Sequence, residues 1–153
     1  MYNEIAKGYD ELYYQEQLEK LNIIKQHFTF KGKILDIGAG TGIVSKHFDN
    51  VTSLDPSKEL LKQAKGEKVL GKAEELPFSD KTFDTIVSLT ALHHCDMDKA
   101  IKEIKRVSKQ KNYAFTILKK SKHCKEIVNK LKNNFNLKEI NEKKDIILVS
   151  QTV

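Results

Sequence analysis

Apolar and polar residues follow two different periods along this chain. Over residues 3–28 the apolar positions recur near helical spacing and predict helix, which Gly8 is expected to divide in two. Beyond that stretch, short apolar runs predict buried strands and longer amphipathic runs predict helices. The predicted strands cover residues 33–37, 51–54, 68–71, 83–89, 113–118, 135–140 and 145–151. The predicted later helices cover residues 41–48, 57–64, 97–107 and 121–134. Ser57 and Asp96 are expected to cap two of these helices, and Leu60 is expected to face inward.

The order of these elements predicts a doubly wound α/β fold. Strands and helices alternate through the middle of the chain, which indicates a parallel sheet with helices on both faces. The run over 83–89 is mostly apolar and is therefore expected near the centre of the sheet. Only the polar residues 141–144 separate the last two strands, so these strands must form a hairpin. The expectation is a seven-stranded, mostly parallel sheet with an antiparallel C-terminal hairpin strand.

Length and composition fit one small globular domain. A chain of 153 residues can bury a core without disulfides, so we expect a single domain over 1–153, with a helical cap region over 1–30 and a core over 31–153. Cys95 and Cys124 are too few for a disulfide framework and lack zinc-site spacing, so no metal is expected. The polar N-terminus and the lack of a long apolar run predict a cytoplasmic protein that does not enter a membrane.

Lysine gives the chain a formal net charge of +6, which is compatible with an anionic partner such as RNA. The lysines are scattered singly along the sequence, which is typical of a solvated surface. Arg106 is the only arginine, and arginine is the preferred bidentate partner of phosphate. The charge therefore favours RNA only if the lysines over 119–132 form a face beside the predicted site.

The strongest chemical signal is the sequence DIGAGTG at residues 36–42, between a predicted strand and a predicted helix. Glycines here let the chain turn sharply and let a ligand approach the main chain, and the helix N-terminus offers N–H groups. The spacing is GxGxG rather than the GxGxxG of dinucleotide-binding proteins. Asp36 would repel a pyrophosphate but suits an ammonium group. The motif therefore favours a nucleoside that carries an amino acid.

Two further segments follow predicted strands at the same edge of the sheet. Asp55 ends the second strand, where a carboxylate can accept hydrogen bonds from both ribose hydroxyls. The alternative for Asp55 is a turn-forming role before Pro56. Residues 71–78 follow the third strand, where a main-chain N–H could meet an adenine ring, although alone they would be an ordinary loop.

Together these segments resemble the class I S-adenosylmethionine-dependent methyltransferases, especially the small enzymes that include those of quinone biosynthesis. The resemblance rests on four stretches, ILDIGAGTG (34–42), SLDPS (53–57), GKAEELPFSDKTFDTIVS (71–88) and ALHHC (91–95). It implies S-adenosyl-L-methionine as cofactor and S-adenosyl-L-homocysteine as product. It also implies the doubly wound fold with an antiparallel strand added at the end.

The resemblance implies eight cofactor-binding residues, and each has a role in that family. Tyr9 would close over the cofactor, Asp36 would support its ammonium group, and Gly38 and Gly40 would carry its methionine part. Asp55 would hold the ribose, Ala73 and Glu74 would border the adenine, and Leu89 would line the site near the sulfonium.

Two positions depart from the family pattern. Lys72 stands where the family commonly has an Asp that meets the adenine amino group, and a lysine cannot accept that hydrogen bond. Adenine recognition would then rest on the main chain or on Glu74. Residues 108–112, SKQKN, replace a Pro-Gly-Gly type of turn, which affects the shape of that turn rather than the site.

His93 and His94 follow the fourth predicted strand, on the side where a methyl acceptor would lie. Either could act as a general base, and either could have a purely structural role. Methyl transfer from a sulfonium is a direct displacement that depends mainly on alignment, so a base is not required. Cys95 is expected to be a buried cysteine rather than a nucleophile.

The expected function is methyl transfer to an O, N or C atom of an acceptor, with a small molecule slightly favoured over tRNA or rRNA. Residues 88–91, SLTA, replace the Asn/Asp-Pro-Pro-Tyr motif of adenine-N6, cytosine-N4 and protein-glutamine enzymes, which disfavours those activities. A non-catalytic S-adenosylmethionine-binding subunit is an alternative, and a dehydrogenase is opposed by the glycine spacing. Because few residues are left to recognise the acceptor, a partner protein could complete the site.

Overall fold

The computed structural model describes residues 4–151, which form a seven-stranded sheet covered by helices. The strands are β1 (Ile34–Ile37), β2 (Val51–Asp55), β3 (Glu67–Leu70), β4 (Thr85–Leu89), β5 (Tyr113–Leu118), β6 (Leu137–Asn141) and β7 (Asp145–Ser150). The helices are α1 (Glu4–His27), α2 (Ile43–His47), α3 (Lys58–Leu61), α4 (Met97–Val107) and α5 (Cys124–Asn134). A short 3₁₀ helix covers Leu92–His94.

The sheet has the order β3-β2-β1-β4-β5-β7-β6. The first five strands of this order are parallel to one another, and β7 is antiparallel to both β5 and β6. The predicted fold is therefore confirmed, including the hairpin and the central position of β4. The carboxyl ends of β1, β2 and β4 meet at one edge, which we call the carboxyl edge, and the opposite edge is the amino edge.

Two hydrophobic clusters lie on the two faces of the sheet. Alternate residues of a strand supply the two clusters, because side chains of a strand point to opposite faces. In β1, Leu35 belongs to the cluster under α4 and α5, while Ile34 belongs to the cluster under α1 and α2. In β4, Ile86 and Val87 divide in the same way. Within residues 4–151, no helix has both the length and the apolar composition of a membrane span.

The helix ends match the predicted caps, and α4 has the predicted bounds, whereas α2, α3 and α5 are shorter than predicted. The Ser57 hydroxyl accepts the main-chain N–H of Leu60, and the Asp96 carboxylate accepts that of Lys99. Gly8 does not divide α1, which is one helix. The prediction that Leu60 faces inward is wrong, because its side chain is 41% exposed.

A buried polar cluster holds α1 against the sheet. The Lys20 ammonium lies 3.1 Å from a carboxylate oxygen of Asp145 in β7, and both side chains are almost fully buried. The same ammonium donates to the side-chain oxygens of Gln17 and Thr90, at 2.8 and 3.2 Å. The Thr90 hydroxyl donates to Asp145 at 2.6 Å and lies 3.2 Å from that of Thr116. Four elements therefore meet at one desolvated ion pair.

Candidate functional site

A cavity of about 210 Å³ opens at the carboxyl edge, above β1 and β4 and beneath α1. Its walls come from α1, the loop after β1, the start of α2, α3 and the end of β4. The lining residues are Asp10, Tyr13, Tyr14, Gln17, Asp36, Gly38, Ala39, Gly40, Thr41, Ile43, Lys46, Leu60, Gln63 and Leu89. Of the eight predicted cofactor residues, the structure brings together four here, namely Asp36, Gly38, Gly40 and Leu89.

The loop after β1 needs its glycines for steric reasons. Gly38 has a φ of 70°, and a Cβ there would lie 2.4 Å from that of Ala91. Gly42 has a φ of 83°, and its Cβ would lie 2.4 Å from that of Ala64. Gly40 also has a positive φ, of 57°, but no atom lies within 4 Å of its missing Cβ. The loop therefore packs tightly against the protein at its two ends and leaves space at its middle.

Asp36 is a buried carboxyl group on the wall of this cavity. Burial, together with the negative charge of Asp55, raises the pKa of Asp36 to about 8. At neutral pH the group is therefore mostly protonated. A cation placed in the cavity would stabilise the ionised form, so this position suits an ammonium group.

Asp55 holds the glycine loop through its carboxylate. One oxygen accepts the main-chain N–H of Gly40 at 2.9 Å, and the other accepts that of Ser57 at 2.8 Å. The side chain is almost fully buried and does not line the cavity. Its ribose-binding role stays a prediction, and the observed contacts also match the turn-forming alternative, because Ser57 follows Pro56 directly.

Two of the other predicted residues, Ala73 and Glu74, stand apart from the cavity. Ala73 is packed in the core, and Glu74 accepts the main-chain N–H of Asp96 at 3.2 Å. Neither residue lines the cavity, so their predicted contact with adenine stays a prediction. Tyr9 belongs to α1, but its side chain is outside the described part of the structure.

Sequence reasoning missed several residues that line the cavity. Tyr14, Gln17, Lys46, Leu60 and Gln63 all contribute to its walls. Two of these come from α1, where residues 10, 13, 14 and 17 share one helix face at helical spacing. That spacing could have identified the face, but only the position of α1 over the loop after β1 shows that it meets a cavity.

Arg106 fixes the loop that follows β3. Its guanidinium donates to the carbonyl oxygens of Leu76 and Phe78, at 2.8 and 2.7 Å. It also pairs with Asp80 and Glu103, at 2.9 and 2.8 Å. The only arginine of the chain is therefore occupied in holding this loop, and it does not serve a phosphate.

We expect Arg106→Lys to destabilise the protein by about 1–3 kcal/mol, because a lysine ammonium cannot reach both carbonyls and both carboxylates in this planar arrangement. Chemical denaturation followed by circular dichroism measures the effect. Lys102→Gln is the matched control, because it removes an exposed charge from the same helix. Equal stability of the two variants would contradict the role given to Arg106.

His93 and His94 lie beyond the end of β4 but do not line the cavity. Their ring centroids are 3.9 Å apart, and the Nδ1 atom of His93 is buried without a hydrogen-bond partner among the described residues. Burial and then His94 lower the pKa of His93, against a smaller opposing effect of Asp145. Thr90, which precedes this segment, has a strained φ of 54°. Burial of the ring and the neighbouring His94 therefore both disfavour the protonated form of His93.

The fold and the site define a class of protein. A doubly wound sheet with β7 inserted between β5 and β6, a GxGxG loop after β1 and a buried acid beside that loop together define the class I methyltransferase architecture. Comparison with known proteins agrees: residues 35–116 match the family described as a methyltransferase domain, so this chain belongs to the family of S-adenosylmethionine-dependent methyltransferases.

Individual relatives are similar in sequence or in fold. An uncharacterised protein of Methanocaldococcus jannaschii is 38% identical over 143 residues, which cover 88% of this chain and 57% of that protein. The demethylmenaquinone methyltransferase of Thermotoga maritima is 35% identical over 92 residues, which cover 52% of this chain and 40% of the enzyme. A crystal structure from Thermotoga maritima, described as an S-adenosylmethionine-dependent methyltransferase and possible histamine N-methyltransferase, has a TM-score of 0.71 at 17% identity and 95% coverage of each chain. The chain thus spans little more than half the length of the first relative.

Proposed function

We propose that this chain binds S-adenosylmethionine in the cavity at the carboxyl edge and transfers its methyl group to an acceptor. The observation that carries the proposal is the buried carboxyl group of Asp36 on the wall of a cavity whose floor is a glycine loop. The methionine part of this ligand carries an ammonium group, and the cavity offers an acid for that group and open main chain beside it for the methionine chain.

The donor set of the cavity fits this cofactor. Asp36 would hold the ammonium group, and Gly40 would leave room for the methionine chain, because no atom lies near its missing Cβ. Leu89 gives the end of β4 an apolar wall, and Tyr14 and Gln17 cover the cavity from α1. When bound, the cofactor supplies an electrophilic methyl group on a sulfonium. The chain's own residues then bind, orient and shield it, which is the main requirement of a displacement.

A small molecule is our preferred acceptor. The lysines over 119–132 do not favour RNA at this site, because none of them lines the cavity, and Lys130 and Lys132 are paired with Asp98 and Glu139. The related demethylmenaquinone methyltransferase and the possible histamine N-methyltransferase bear names of small acceptors. We propose His93 as the group that would take a proton from the acceptor. An RNA acceptor, a completing partner protein and a binding-only role are alternatives.

Titration calorimetry with S-adenosylhomocysteine tests the cofactor site. We expect micromolar binding by the wild-type protein, no binding of NAD, and loss of binding in Asp55→Ala, because that change releases Gly40 and with it the shape of the loop. Asp49→Ala is the matched control, since it removes an exposed acid near the start of β2, away from the cavity. A wild-type protein that binds neither ligand would refute the proposal.

An assay of methyl transfer distinguishes a methyltransferase from a protein that only binds S-adenosylmethionine. Incubation with methyl-labelled S-adenosylmethionine and fractionated metabolites, RNA or protein would reveal the acceptor class through the labelled fraction. Label in metabolites supports a small acceptor, and label in RNA overturns that preference. Binding of S-adenosylhomocysteine without transfer to any fraction would favour the non-catalytic subunit.

A further inference from the structure

A groove runs along the amino edge of the sheet, opposite the cofactor cavity. It consists of two adjoining cavities of about 640 and 450 Å³ that share Gln110, Lys111, Ser150 and Gln151. The groove passes the C-terminal ends of α1, α4 and α5 and the first residues of β5 and β6. Strands of four to six residues, which are about 13–20 Å long, separate it from the cofactor cavity. The groove therefore belongs to another surface of the molecule.

Lysine dominates the lining of this groove, and no carboxylate contributes to it. Seven exposed lysines line it, and we call it the lysine groove. Besides Lys111, they are Lys25, Lys31, Lys81, Lys105, Lys109 and Lys138. None of the seven forms an ion pair with a carboxylate of residues 4–151. The groove is therefore a concentrated and uncompensated positive surface.

Asp84, which contacts the groove residue Gln110, does not neutralise the groove. Its two carboxylate oxygens accept the main-chain N–H of Lys33 and the side-chain N–H of Gln110. These bonds hold it at the rim, where the charges of Lys109 and Lys33 also help to keep its pKa low. Asp84 thus offsets one lysine at most, and the other six remain.

The distribution of charge over the chain is strongly uneven. The seven lysines of the groove exceed the formal net charge of the whole protein, which is +6. The rest of the chain is consequently close to neutral. Lysines that look scattered in the sequence are therefore gathered on one edge by the fold, because the loops before β1, β4, β5 and β6 all end there.

The other groups of the lysine groove suit a polyanion with many hydrogen-bonding oxygens. Four carboxamides line it in addition to Gln110 and Gln151, namely Gln26, Asn112, Asn134 and Asn136. The rings of Phe28, Tyr113 and Phe135 in its lining are buried. The exposed ring is that of His27, whose Nδ1 atom lies 3.3 Å from the Lys138 ammonium. The exposed large apolar side chains lie elsewhere on the molecule, so this surface offers no anchor for a membrane or for an apolar protein interface.

We propose that the lysine groove binds the sugar–phosphate backbone of RNA, without preference for base sequence. Ammonium groups neutralise successive phosphates, and the carboxamides bond to phosphate and ribose oxygens. This inference goes beyond the proposed function, because it concerns a separate surface and holds whether or not the bound RNA is methylated.

Fluorescence anisotropy with a labelled 20-nucleotide oligouridylate tests the inference, because uridine stacks weakly and the probe reports mainly backbone contacts. The groove variant is Lys109→Gln/Lys111→Gln/Lys138→Gln. The control variant, Lys58→Gln/Lys99→Gln/Lys125→Gln, loses the same charge from exposed positions outside the groove. Thermal denaturation of both variants verifies that each is folded.

We expect the wild-type protein to bind the probe at low salt. The groove variant should bind at least about tenfold more weakly, and its salt dependence should have a log–log slope smaller by about 2, since single-stranded contacts contribute about 0.7 each. The control should stay within about twofold of the wild type. Equal losses in the two variants, or no wild-type binding at about 50 mM salt, would overturn the inference.

Two further measurements separate the other outcomes. Binding to phosphatidylglycerol vesicles that is lost in the groove variant, without binding to RNA, would assign the groove to a membrane surface and overturn the RNA proposal. Titration with S-adenosylhomocysteine reports on the other edge of the sheet. Unchanged cofactor affinity in the groove variant, with loss of RNA binding, would show that the two surfaces act independently.

Discussion

Asp36→Asn is expected to weaken the binding of S-adenosylhomocysteine by about ten- to a hundredfold. The change is isosteric, so the loop after β1 keeps its shape, but the neutral amide cannot form a charge-assisted contact with the ammonium group. Such a contact contributes roughly 1.5–3 kcal/mol. Calorimetric titration of the variant at pH 8 measures the loss, and Asp49→Asn serves as the control because that acid is exposed and distant from the cavity.

The affinity of the wild-type protein should also rise with pH, up to about pH 8. Asp36, with its pKa raised to about 8 by burial and by Asp55, is mostly protonated at pH 6, and it must lose its proton to face an ammonium group. Binding is thus coupled to release of one proton, and the dissociation constant should fall by up to about tenfold per pH unit below 8. Titration in buffers of different ionisation enthalpy detects that proton directly. A pH-independent affinity in the wild type would refute the contact.

The raised pKa of Asp36 has the opposite effect on folding stability, which should fall with rising pH while cofactor affinity increases. This pKa is raised in the folded protein and ordinary, near 3.8, in the unfolded chain, so the folded state binds the proton more tightly between these values. Wild-type stability should therefore fall as the pH rises from about 4 to about 8. Asp36→Asn removes this dependence and should be the more stable protein at pH 8, although it is the weaker binder.

Lys20→Met is expected to cost about 3–5 kcal/mol of folding free energy, because Asp145 would be left buried without its cation. Small domains have about 5–15 kcal/mol in total, so the loss would be a large share of the stability. Urea denaturation followed by circular dichroism measures it. Adding Asp145→Asn to Lys20→Met should recover part of the loss, since no buried charge then remains.

An exposed ion pair between the same two parts of the molecule provides the control. Glu19 in α1 and Lys143 before β7 approach to 3.8 Å, and both side chains are mostly exposed. Lys143→Met should therefore change stability very little. If Lys20→Met and Lys143→Met behave alike, or if the double variant is no better than Lys20→Met, the buried pair does not hold α1 to the sheet.

The sequence was sufficient for the fold because its local signals agree with one another. Each central strand is a short apolar run, and the Ser57 and Asp96 caps are read directly from residue type. Helix lengths were less predictable. Gly42 has a left-handed backbone conformation, so α2 begins at Ile43, two residues later than the apolar pattern predicts. The pattern of apolar residues does not indicate such a backbone conformation.

The candidate site was only partly predictable. The glycine loop and Asp36 are contiguous in sequence, so a motif reveals them. The wall from α1 depends on how that helix lies over the sheet, which follows from contacts between residues far apart in the chain. Lys20 illustrates the difficulty: it sits on the apolar face of α1 beside Leu21 and Ile24, and only the fold reveals the Asp145 that makes its burial tolerable.

The place of β7 between β5 and β6 also governs how the chain can fold as it is synthesised. In the described structure β5 and β6 meet only through β7, so neither completes its pairing until residues 145–150 have left the ribosome. Lys20, which is synthesised more than a hundred residues earlier, has no Asp145 to pair with until the same stage. A nascent chain can assemble the first strands early, but this end of the sheet closes only after β7 has been synthesised. Until then one side of β5 is unpaired, and its main-chain N–H and C=O groups are open to pairing with another strand.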